Sequence, residues 1–370
     1  MSSSIGEIFR LTTFGESHGP AVGGVIDGIP SGVEIDFDKI NLALTRRKPG
    51  SSKFHSQRNE KDIPEFLSGI CNGVSLGTPI AFIIRNNDHK SADYNNLKEV
   101  LRPSHADYTY LKKYGLRDHR GGGRASARET TSWVVAGSIA SQILNRNGIS
   151  VKSYVSSIGK IDLDIHYSEL NLDKTFENEV RCPSSVHAKK MKEKINECIE
   201  SGDTLGGRIS TIIFGLPAGV GEPVFNKLNA DIGKVILGVN ACKAIEFGSG
   251  FSGTKNSGSQ ENDQLYFDSK NKSVMSKTNN SGGIQGGISN GMDIFFNSYF
   301  KPVSSISTMQ ESVNINNENI KFSIDGRHDP CVVPRAVPVV SSITSIILLD
   351  HLLTVSYTHP EPTRQLCISY

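Results

Sequence analysis

Hydrophobic and polar positions alternate along the chain in patterns that predict both strands and helices. Residues 8–14 and 21–26 are strand-like and flank a polar loop, residues 15–19. Asp36 precedes Phe37, Ile40 and Leu44 at helical spacing and therefore predicts a capped helix that ends before Pro49. The same patterns predict further strands over residues 66–71, 79–85, 151–158, 209–216 and 294–300, and further helices over residues 102–115, 125–147, 184–201, 224–237 and 337–353.

The order of these elements indicates the fold class. Strands and helices mix without a regular βα alternation, which favours an α+β fold over a doubly wound sheet. Residues 253–283 are rich in Ser, Asn, Lys and Gly, so we expect a mobile loop or lid there. Residues 1–353 are predicted to form a single domain. Residues 354–370 contain two prolines and are predicted to be an irregular tail that is not native to this domain.

Composition and charge narrow the function classes. The formal net charge is +2 over 370 residues, from 40 basic and 38 acidic side chains, whereas a general nucleic-acid binder is usually more basic. The six cysteines have no paired spacing, which indicates a reducing compartment and neither a zinc ribbon nor a disulfide framework. The N-terminus lacks a signal pattern, and the apolar stretch 337–353 is interrupted by polar residues. These features predict a cytoplasmic protein without a membrane span.

The densest candidate for ligand binding is the segment RGGGRASARET, residues 120–130. Three glycines permit a tight turn and a close backbone approach to a ligand, and the following residues favour a helix whose N-terminus attracts anions. Arg120, Arg124 and Arg128 add fork-shaped donors for phosphate or carboxylate. The segment is not a P-loop. The alternatives are a plain surface loop and an RGG-type segment that binds nucleic acid.

Two histidines lie in contexts that suit proton transfer. His18 follows Glu16 and Ser17 in a glycine-flanked loop, and His105 lies near a predicted helix start. Histidine titrates near neutral pH, so either ring can transfer a proton, although each can equally be a hydrogen-bonded structural residue. No spacing resembles a metal site, and no Ser or Cys lies in a nucleophile elbow.

A third polar segment, DGRHDP at residues 325–330, combines Arg327, which can hold an anion, with Asp329, which can accept a proton. A plain turn would explain its composition equally well. Residues 282–291 form a second glycine-dense loop, and residues 301–305 supply a lysine and two serines.

Taken together, these motifs resemble the signatures of the chorismate synthase family. GESHG (15–19), RPSHAD (102–107), RGGGRASARET (120–130) and RHDP (327–330) occur in the family's order and span nearly the whole chain. The resemblance implies a β-α-β sandwich with helices between antiparallel sheets, assembled as a homotetramer. It implies a lyase that converts 5-enolpyruvylshikimate 3-phosphate to chorismate by trans 1,4-elimination of phosphate, in the shikimate pathway to aromatic amino acids.

The resemblance also implies a cofactor and residue roles. The family requires reduced FMN without net redox change. His18 would protonate the departing phosphate, His105 would protonate or steady the reduced flavin, and Ser17 and Asp329 would relay a proton involving the flavin N5. The substrate-binding residues would be Arg47, Lys53, Arg102, Arg128 and Arg327. The flavin-binding residues would be Arg124, Ala125, Ser126, Asn240, Ala241, Gly286, Lys301, Pro302, Val303, Ser304, Ser305 and Arg327.

Some family members reduce their flavin with NADPH and others use an outside reductant. No dinucleotide fingerprint in this sequence decides between the two.

Three positions depart from the family pattern. Ser104 stands where the family commonly has Gly, His119 where Tyr is frequent, and Ser341 where Glu is usual. The sequence therefore leaves three hypotheses: an FMN-dependent phosphate lyase that acts on a small molecule, a catalytically weakened family member that binds FMN, and a nucleic-acid-binding protein that uses its Arg/Gly loops.

Overall fold

The computed structural model describes residues 3–48, 60–87, 98–270, 272–323 and 329–358. The strands are β1 (Ser4–Ile5), β2 (Arg10–Gly15), β3 (Ala21–Asp27), β4 (Glu65–Phe66), β5 (Ile70–Cys71), β6 (Val74–Ser75), β7 (Ile80–Arg85), β8 (Val100–Leu101), β9 (Ser150–Ile158), β10 (Ile161–Asp162), β11 (Gly207–Phe214), β12 (Cys242–Phe247), β13 (Leu265–Asp268), β14 (Ser273–Ser276), β15 (Ile284–Gln285), β16 (Ile288–Ser289), β17 (Ile294–Phe300), β18 (Gln310–Asn314) and β19 (Asn319–Phe322). The helices are α1 (Phe37–Arg47), α2 (Asp107–Tyr114), α3 (Thr130–Arg146), α4 (Ser185–Glu200), α5 (Leu228–Leu237), α6 (Gly250–Gly253), α7 (Gly258–Glu261) and α8 (Val333–Thr358).

Two five-stranded antiparallel sheets form the outer layers. The first has the order β1-β2-β3-β7-β4 and the second the order β10-β9-β11-β17-β12. Along β17 buried residues alternate with half-buried ones, as expected when one face of a strand packs on the core. A three-stranded sheet, β19-β18-β8, and the hairpins β5–β6, β13–β14 and β15–β16 complete the strands.

The long helices lie between the two sheets. Helix α3 contacts β2 and β3 of the first sheet and β9 of the second, while α8 packs on α1, α3 and α5 and on β9 and β11. Helix α8 is apolar and long enough to cross a membrane by length and composition, but 94% of its apolar window is buried inside the fold. The predicted sandwich with helices between antiparallel sheets is confirmed.

Local sequence signals explain the start of α1 but not the starts of α2 and α5. The Asp36 side chain accepts hydrogen bonds from the backbone N–H groups of Asp38 and Lys39 and caps α1 as predicted. Helix α2 begins at Asp107 rather than near residue 102, because residues 102–106 form a turn in which Ser104 has φ +56°. Helix α5 begins at Leu228, four residues later than the pattern predicts.

Two predicted irregular regions contain regular structure. Residues 253–283 include helix α7 and the hairpin β13–β14, which the polar composition did not indicate; the mobility of this region stays a prediction. The predicted tail boundary at residue 354 is wrong, because α8 continues to Thr358 and Val355 is still buried. Residues 359–370 lie outside the described part of the chain.

Candidate active site

The glycine loop passes between the two candidate histidines. Gly121, Gly122 and Gly123 all have positive φ, at +71°, +90° and +56°. A Cβ on Gly121 would lie 2.3 Å from Cε1 of His18, and a Cβ on Gly122 would lie 3.1 Å from Cε1 of His105. The glycines are therefore required both by the backbone conformation and by the contact with two imidazole rings. The tertiary structure brings the first three sequence motifs to one place.

The arginines of this loop are engaged by carboxylates of the chain itself. Arg120 contacts Asp118 at 2.9 Å and Arg124 contacts Glu129 at 2.9 Å. Two 3₁₀ turns, Gly123–Ala125 and Ala127–Glu129, separate the glycines from α3, so the loop does not feed this helix directly. The sequence predicted that all three arginines of the loop are available to an anion. In the structure, Arg120 and Arg124 are instead paired with carboxylates of the chain.

His18 is buried and is paired with its neighbour. Its exposed fraction is 7%, and its Nδ1 lies 3.0 Å from the hydroxyl oxygen of Ser17. When the Ser17 hydroxyl donates this hydrogen bond, the proton of the neutral ring lies on Nε2. The loop is fixed by the Asn86 amide, which donates to the carbonyls of Glu16 and Gly19 at 3.0 and 2.8 Å.

His105 belongs to a cluster centred on Asp107. The Asp107 carboxylate accepts from Arg102 Nε at 2.7 Å, and it lies 3.1 Å from His105 Nδ1 and 2.9 Å from Arg117 Nη1. Burial opposes ionisation of this carboxyl, but the hydrogen bonds from Arg102 and His105 outweigh burial and hold the pKa of Asp107 well below its usual range. His105 Nδ1 also lies 3.1 Å from Arg102 Nη2. A carboxylate can only accept and a guanidinium can only donate, so Nδ1 bonds to Asp107 when it carries the ring proton, which leaves Nε2 for chemistry, and to Arg102 when it does not.

Arg47 and Arg128, two of the predicted substrate-binding residues, share a third carboxylate. Asp62 accepts from Arg47 Nη1 at 3.1 Å and from Nη1 of Arg128. Arg47 is further held by the Thr130 hydroxyl at 3.2 Å. Arg128 Nε donates to the Asn86 side chain at 2.8 Å, so Asn86 links this cluster to the His18 loop.

Five of the twelve residues predicted to bind the flavin form one connected group beside His105. Asn240 Nδ2 donates to the carbonyl of Ala125 at 2.8 Å, and the Lys301 N–H donates to the carbonyl of Ala241 at 2.9 Å. Lys301 Nζ donates to the Ser304 hydroxyl at 2.8 Å.

This group is joined directly to the His105 loop. The Ser304 hydroxyl donates to the carbonyl of Ser104 at 2.9 Å. Ser104 has φ +56°, a conformation that favours the glycine common at this position in the family. Burial, followed by the charge of Lys243, lowers the pKa of Lys301.

The other residues predicted to bind substrate or flavin lie outside this connected group, and two of them lie outside the described residues. Arg124 is bound by Glu129, Thr13 and the carbonyl of Gly15. Ser126 caps the second 3₁₀ turn, Val303 accepts a hydrogen bond from the Thr204 hydroxyl, and Gly286 lies in the exposed turn between β15 and β16. Pro302 and Ser305 lie in the irregular segment after β17. Lys53 and Arg327 lie outside the described residues.

Asp329 is held by a residue that the sequence did not single out. The Arg335 guanidinium, at the start of α8, pairs with the Asp329 carboxylate. Arg335 also lines a small cavity of about 20 Å³ together with Arg47, Thr130 and Asn240. Within the described residues its Nε is buried and has no hydrogen-bond partner. A buried orphan donor beside predicted substrate and cofactor residues fits a site that closes around an anionic or carbonyl-bearing group.

A larger cavity of about 1280 Å³ lies along the same glycine loop. Its wall includes Gly122, Gly123, Tyr110 and Trp133, and Arg124 is the one predicted flavin residue on it among those that the structure describes. The predicted flavin group instead converges on Asn240, Lys301 and Ser304 beside His105. These amide, ammonium and hydroxyl groups suit the phosphate and carbonyl oxygens of a flavin nucleotide.

Asp62, Asn86 and Arg335 are the residues that sequence reasoning missed. The partners of Asp62 and Asn86 are distant in sequence, whereas Arg335 pairs with Asp329 six residues away, and no local pattern marks any of the three. No group of three His, Cys, Asp or Glu side chains able to hold a metal ion is found in the described ranges.

Comparisons with known proteins agree on one family. The sequence profile of chorismate synthase matches residues 9–353. The chain is 52% identical over 351 residues to a chorismate synthase of Christiangramia forsetii, covering 95% of this chain and 97% of that protein. It is 52% identical over 353 residues to the chorismate synthase of Cytophaga hutchinsonii, covering 95% and 98%. A crystal structure of a chorismate synthase superposes with a TM-score of 0.76 at 29% identity, covering 95% of this chain and 93% of that one.

Proposed function

The chain belongs to the chorismate synthase family, and we propose that the glycine loop and the two histidines packed on it form the active site of this lyase. The reaction converts 5-enolpyruvylshikimate 3-phosphate to chorismate by a trans 1,4-elimination. One C–H bond and one C–O bond of the ring break, a second ring double bond forms, and inorganic phosphate and a proton leave. The single observation that carries the placement is the packing of Gly121 on His18 and of Gly122 on His105.

The charges around the loop suit this substrate, which carries one phosphate and two carboxylates. Arg102 and Arg117 surround Asp107, and the three side chains together carry a formal charge of +1. Arg47, Arg128 and Asp62 make a second cluster with the same formal charge. Two positive clusters beside one loop attract a multiply charged anion and hold it by charge-assisted hydrogen bonds.

We assign to His18 the proton that the leaving phosphate takes. The ring is buried, and when the Ser17 hydroxyl donates to Nδ1 the transferable proton lies on Nε2. His105 is held by Asp107 with Nε2 directed away from that carboxylate, and we assign it to the cofactor side of the site. Asp329, steadied by Arg335, and Ser17 are assigned to the movement of the proton lost from the ring.

Reduced FMN, the cofactor of the family, would be held by Asn240, Ala241, Lys301 and Ser304, and when bound it would supply electron density to the developing allylic centre without net redox change. Lys301 would neutralise an anionic oxygen of the nucleotide. We further propose Lys53 and Arg327 as substrate-binding residues on the family pattern, Arg327 also contacting the flavin.

The remaining assignments are coarser. A homotetramer is proposed from the family, and it is supported by apolar side chains exposed on the hairpin β13–β14, namely Leu265, Phe267 and Val274. Cytoplasmic location and use of NADPH as reductant are proposed on the same basis. Light scattering after gel filtration tests the mass, and turnover in air with NADPH and oxidised FMN tests the reductant.

One assay tests the function directly. Purified protein is incubated without oxygen with 5-enolpyruvylshikimate 3-phosphate and reduced FMN, and chorismate and phosphate are measured together. We expect both products in equal amounts. Tight FMN binding without either product would overturn the lyase proposal and favour a weakened family member. Ser341, the departure that motivates that alternative, lines a different cavity from the one shared by Arg47, Asn240 and Arg335.

A further inference from the structure

The Arg335 side chain lies where three parts of the proposed active site meet. Its guanidinium pairs with the carboxylate of Asp329, and the two side chains are 11% and 12% exposed. Arg335 also lines the cavity of about 20 Å³ that Arg47, a predicted substrate residue, shares with Asn240, a predicted flavin residue. One side chain therefore contacts the group assigned to proton movement and borders the residues assigned to substrate and cofactor.

The position of Arg335 is unfavourable for an arginine on grounds of stability alone. Helix α8 begins at Val333, so Arg335 lies in its first turn, where the helix dipole disfavours a cation. Its Nε is buried and has no hydrogen-bond partner among the described residues, which is costly for a charged donor. Asp329 offsets the charge of the guanidinium but not the missing hydrogen bond of Nε. Helix formation and packing therefore do not explain this arginine, whereas a role in the site does.

The backbone next to Asp329 is fixed by contacts other than the one with Arg335. The carbonyl of Pro330 accepts a hydrogen bond from the Leu205 N–H at 2.8 Å. Cys331 is fully buried and forms a parallel β-bridge with Leu205. Because these contacts already hold the course of the chain, the contact with Arg335 acts on the orientation of the Asp329 carboxylate.

We propose that Arg335 is a positioning residue for the elimination and orients the Asp329 carboxylate for the proton that leaves the ring. A charge-assisted hydrogen bond to one carboxylate oxygen restricts the rotation of the whole group. The proton passes by way of Asp329, the electron pair of the C–H bond stays in the ring for the new double bond, and the C–O pair leaves with phosphate. A guanidinium stays protonated, so Arg335 itself neither takes nor gives the proton. The inference rests on the lyase function proposed above.

The test compares the wild type with Arg335→Gln, using substrate that carries hydrogen or deuterium at the ring carbon that loses its proton. Arg335→Gln should lower kcat about tenfold to a hundredfold with little change in KM, because the carboxylate is no longer held in the productive orientation. The isotope effect on kcat should rise, since C–H cleavage becomes slower relative to the other steps. A merely structural role would lower the fraction of active enzyme and leave the isotope effect unchanged.

A conservative variant keeps the test decisive if Arg335→Gln folds poorly. Arg335→Lys retains a cation that can pair with Asp329, so it should recover part of the lost kcat and show a smaller rise in the isotope effect. Flavin fluorescence titration checks that each variant still binds FMN and is therefore folded.

Arg181→Gln is the matched control. Nε of Arg181 is likewise buried without a partner in the described part of the chain, but its guanidinium carbon lies 4.9 Å from the centre of the Phe176 ring. This variant should keep the wild-type kcat and isotope effect. A wild type that turns over, together with an unchanged isotope effect in both Arg335 variants, would overturn this inference alone. A wild type without turnover would overturn the proposed function and the inference with it.

Discussion

The Gly121 backbone lies directly against the imidazole of His18, so that a methyl group on Gly121 would overlap Cε1 at 2.3 Å. The position of His18, the proposed acid, therefore depends on the conformation of the glycine loop. Substitutions at glycine can therefore separate backbone strain from displacement of the histidine.

Gly121→Ala should reduce kcat by about tenfold to a hundredfold, since His18 must move to make room for the methyl group. Gly148→Ala is the matched control, because Gly148 has nearly the same φ, +73°, and no atom near the added carbon. The control should lose about 1 kcal/mol of stability from the strained φ and keep its kcat. Steady-state kinetics and thermal unfolding of both variants check this. Equal losses of kcat would show that strain, not the His18 contact, governs activity.

His18→Ala should lower turnover by roughly 10²–10⁴-fold, the usual contribution of general acid catalysis, while FMN affinity changes little. The proposed flavin residues contact the His105 side of the loop, which is the physical reason for the separation. Anaerobic turnover and flavin fluorescence titration measure the two quantities. A parallel loss of both would contradict the assignment of His18 as the leaving-group acid.

The Asp107 cluster predicts a stability that depends on pH. The pKa of Asp107 is held below its ordinary value of 3.8 in the folded state, so its stabilisation is complete above about pH 4. As the pH falls from there towards the folded-state pKa, the unfolded chain takes up the proton first and the stabilisation is lost.

Asp107→Asn should therefore unfold about 3–5 kcal/mol more easily than the wild type at pH 7, because the variant leaves buried arginines without their carboxylate. The difference should shrink between pH 4 and pH 3. Urea unfolding at three pH values measures this. Asp118→Asn, which removes a more exposed partner of Arg120, is the control and should cost less. A pH-independent difference would refute the cluster's role.

The crossing of α3 and α8 depends on Gly137. A Cβ there would lie 2.3 Å from the Ser342 carbonyl oxygen and 2.5 Å from its Cα, so the two backbones would have to move apart. Gly137→Ala should cost about 2 kcal/mol or more despite the better helix propensity of alanine. Gly233→Ala on α5, where the nearest atom is 3.8 Å away, should be neutral or stabilising by up to about 1 kcal/mol. The Tm of each variant, measured by calorimetry, tests this prediction. A higher Tm in both variants would contradict the close packing of α3 on α8 at Gly137.

Most secondary structure and the family could be predicted from the sequence, because both depend on local patterns. The Asp36 cap, the alternation along β17 and the apolar run of α8 each report the environment of neighbouring residues. Two predictions of secondary structure were wrong for local reasons. Helix α2 begins later than predicted because Ser104 adopts a left-handed φ. The hairpin β13–β14 was not predicted because its apolar side chains are exposed within a polar stretch.

The sequence by itself determined which chemical groups the protein carries and in what order, since motifs and periodicity are properties of adjacent positions. Tertiary structure alone decided which groups meet. Asp62 joins Arg47 and Arg128 across 15 and 66 residues, and Arg46 and Arg47 face different cavities although they are neighbours in sequence. Periodicity cannot reveal such pairings, because they arise from the packing of helices between two sheets, where each side chain's partner is set by the neighbouring element.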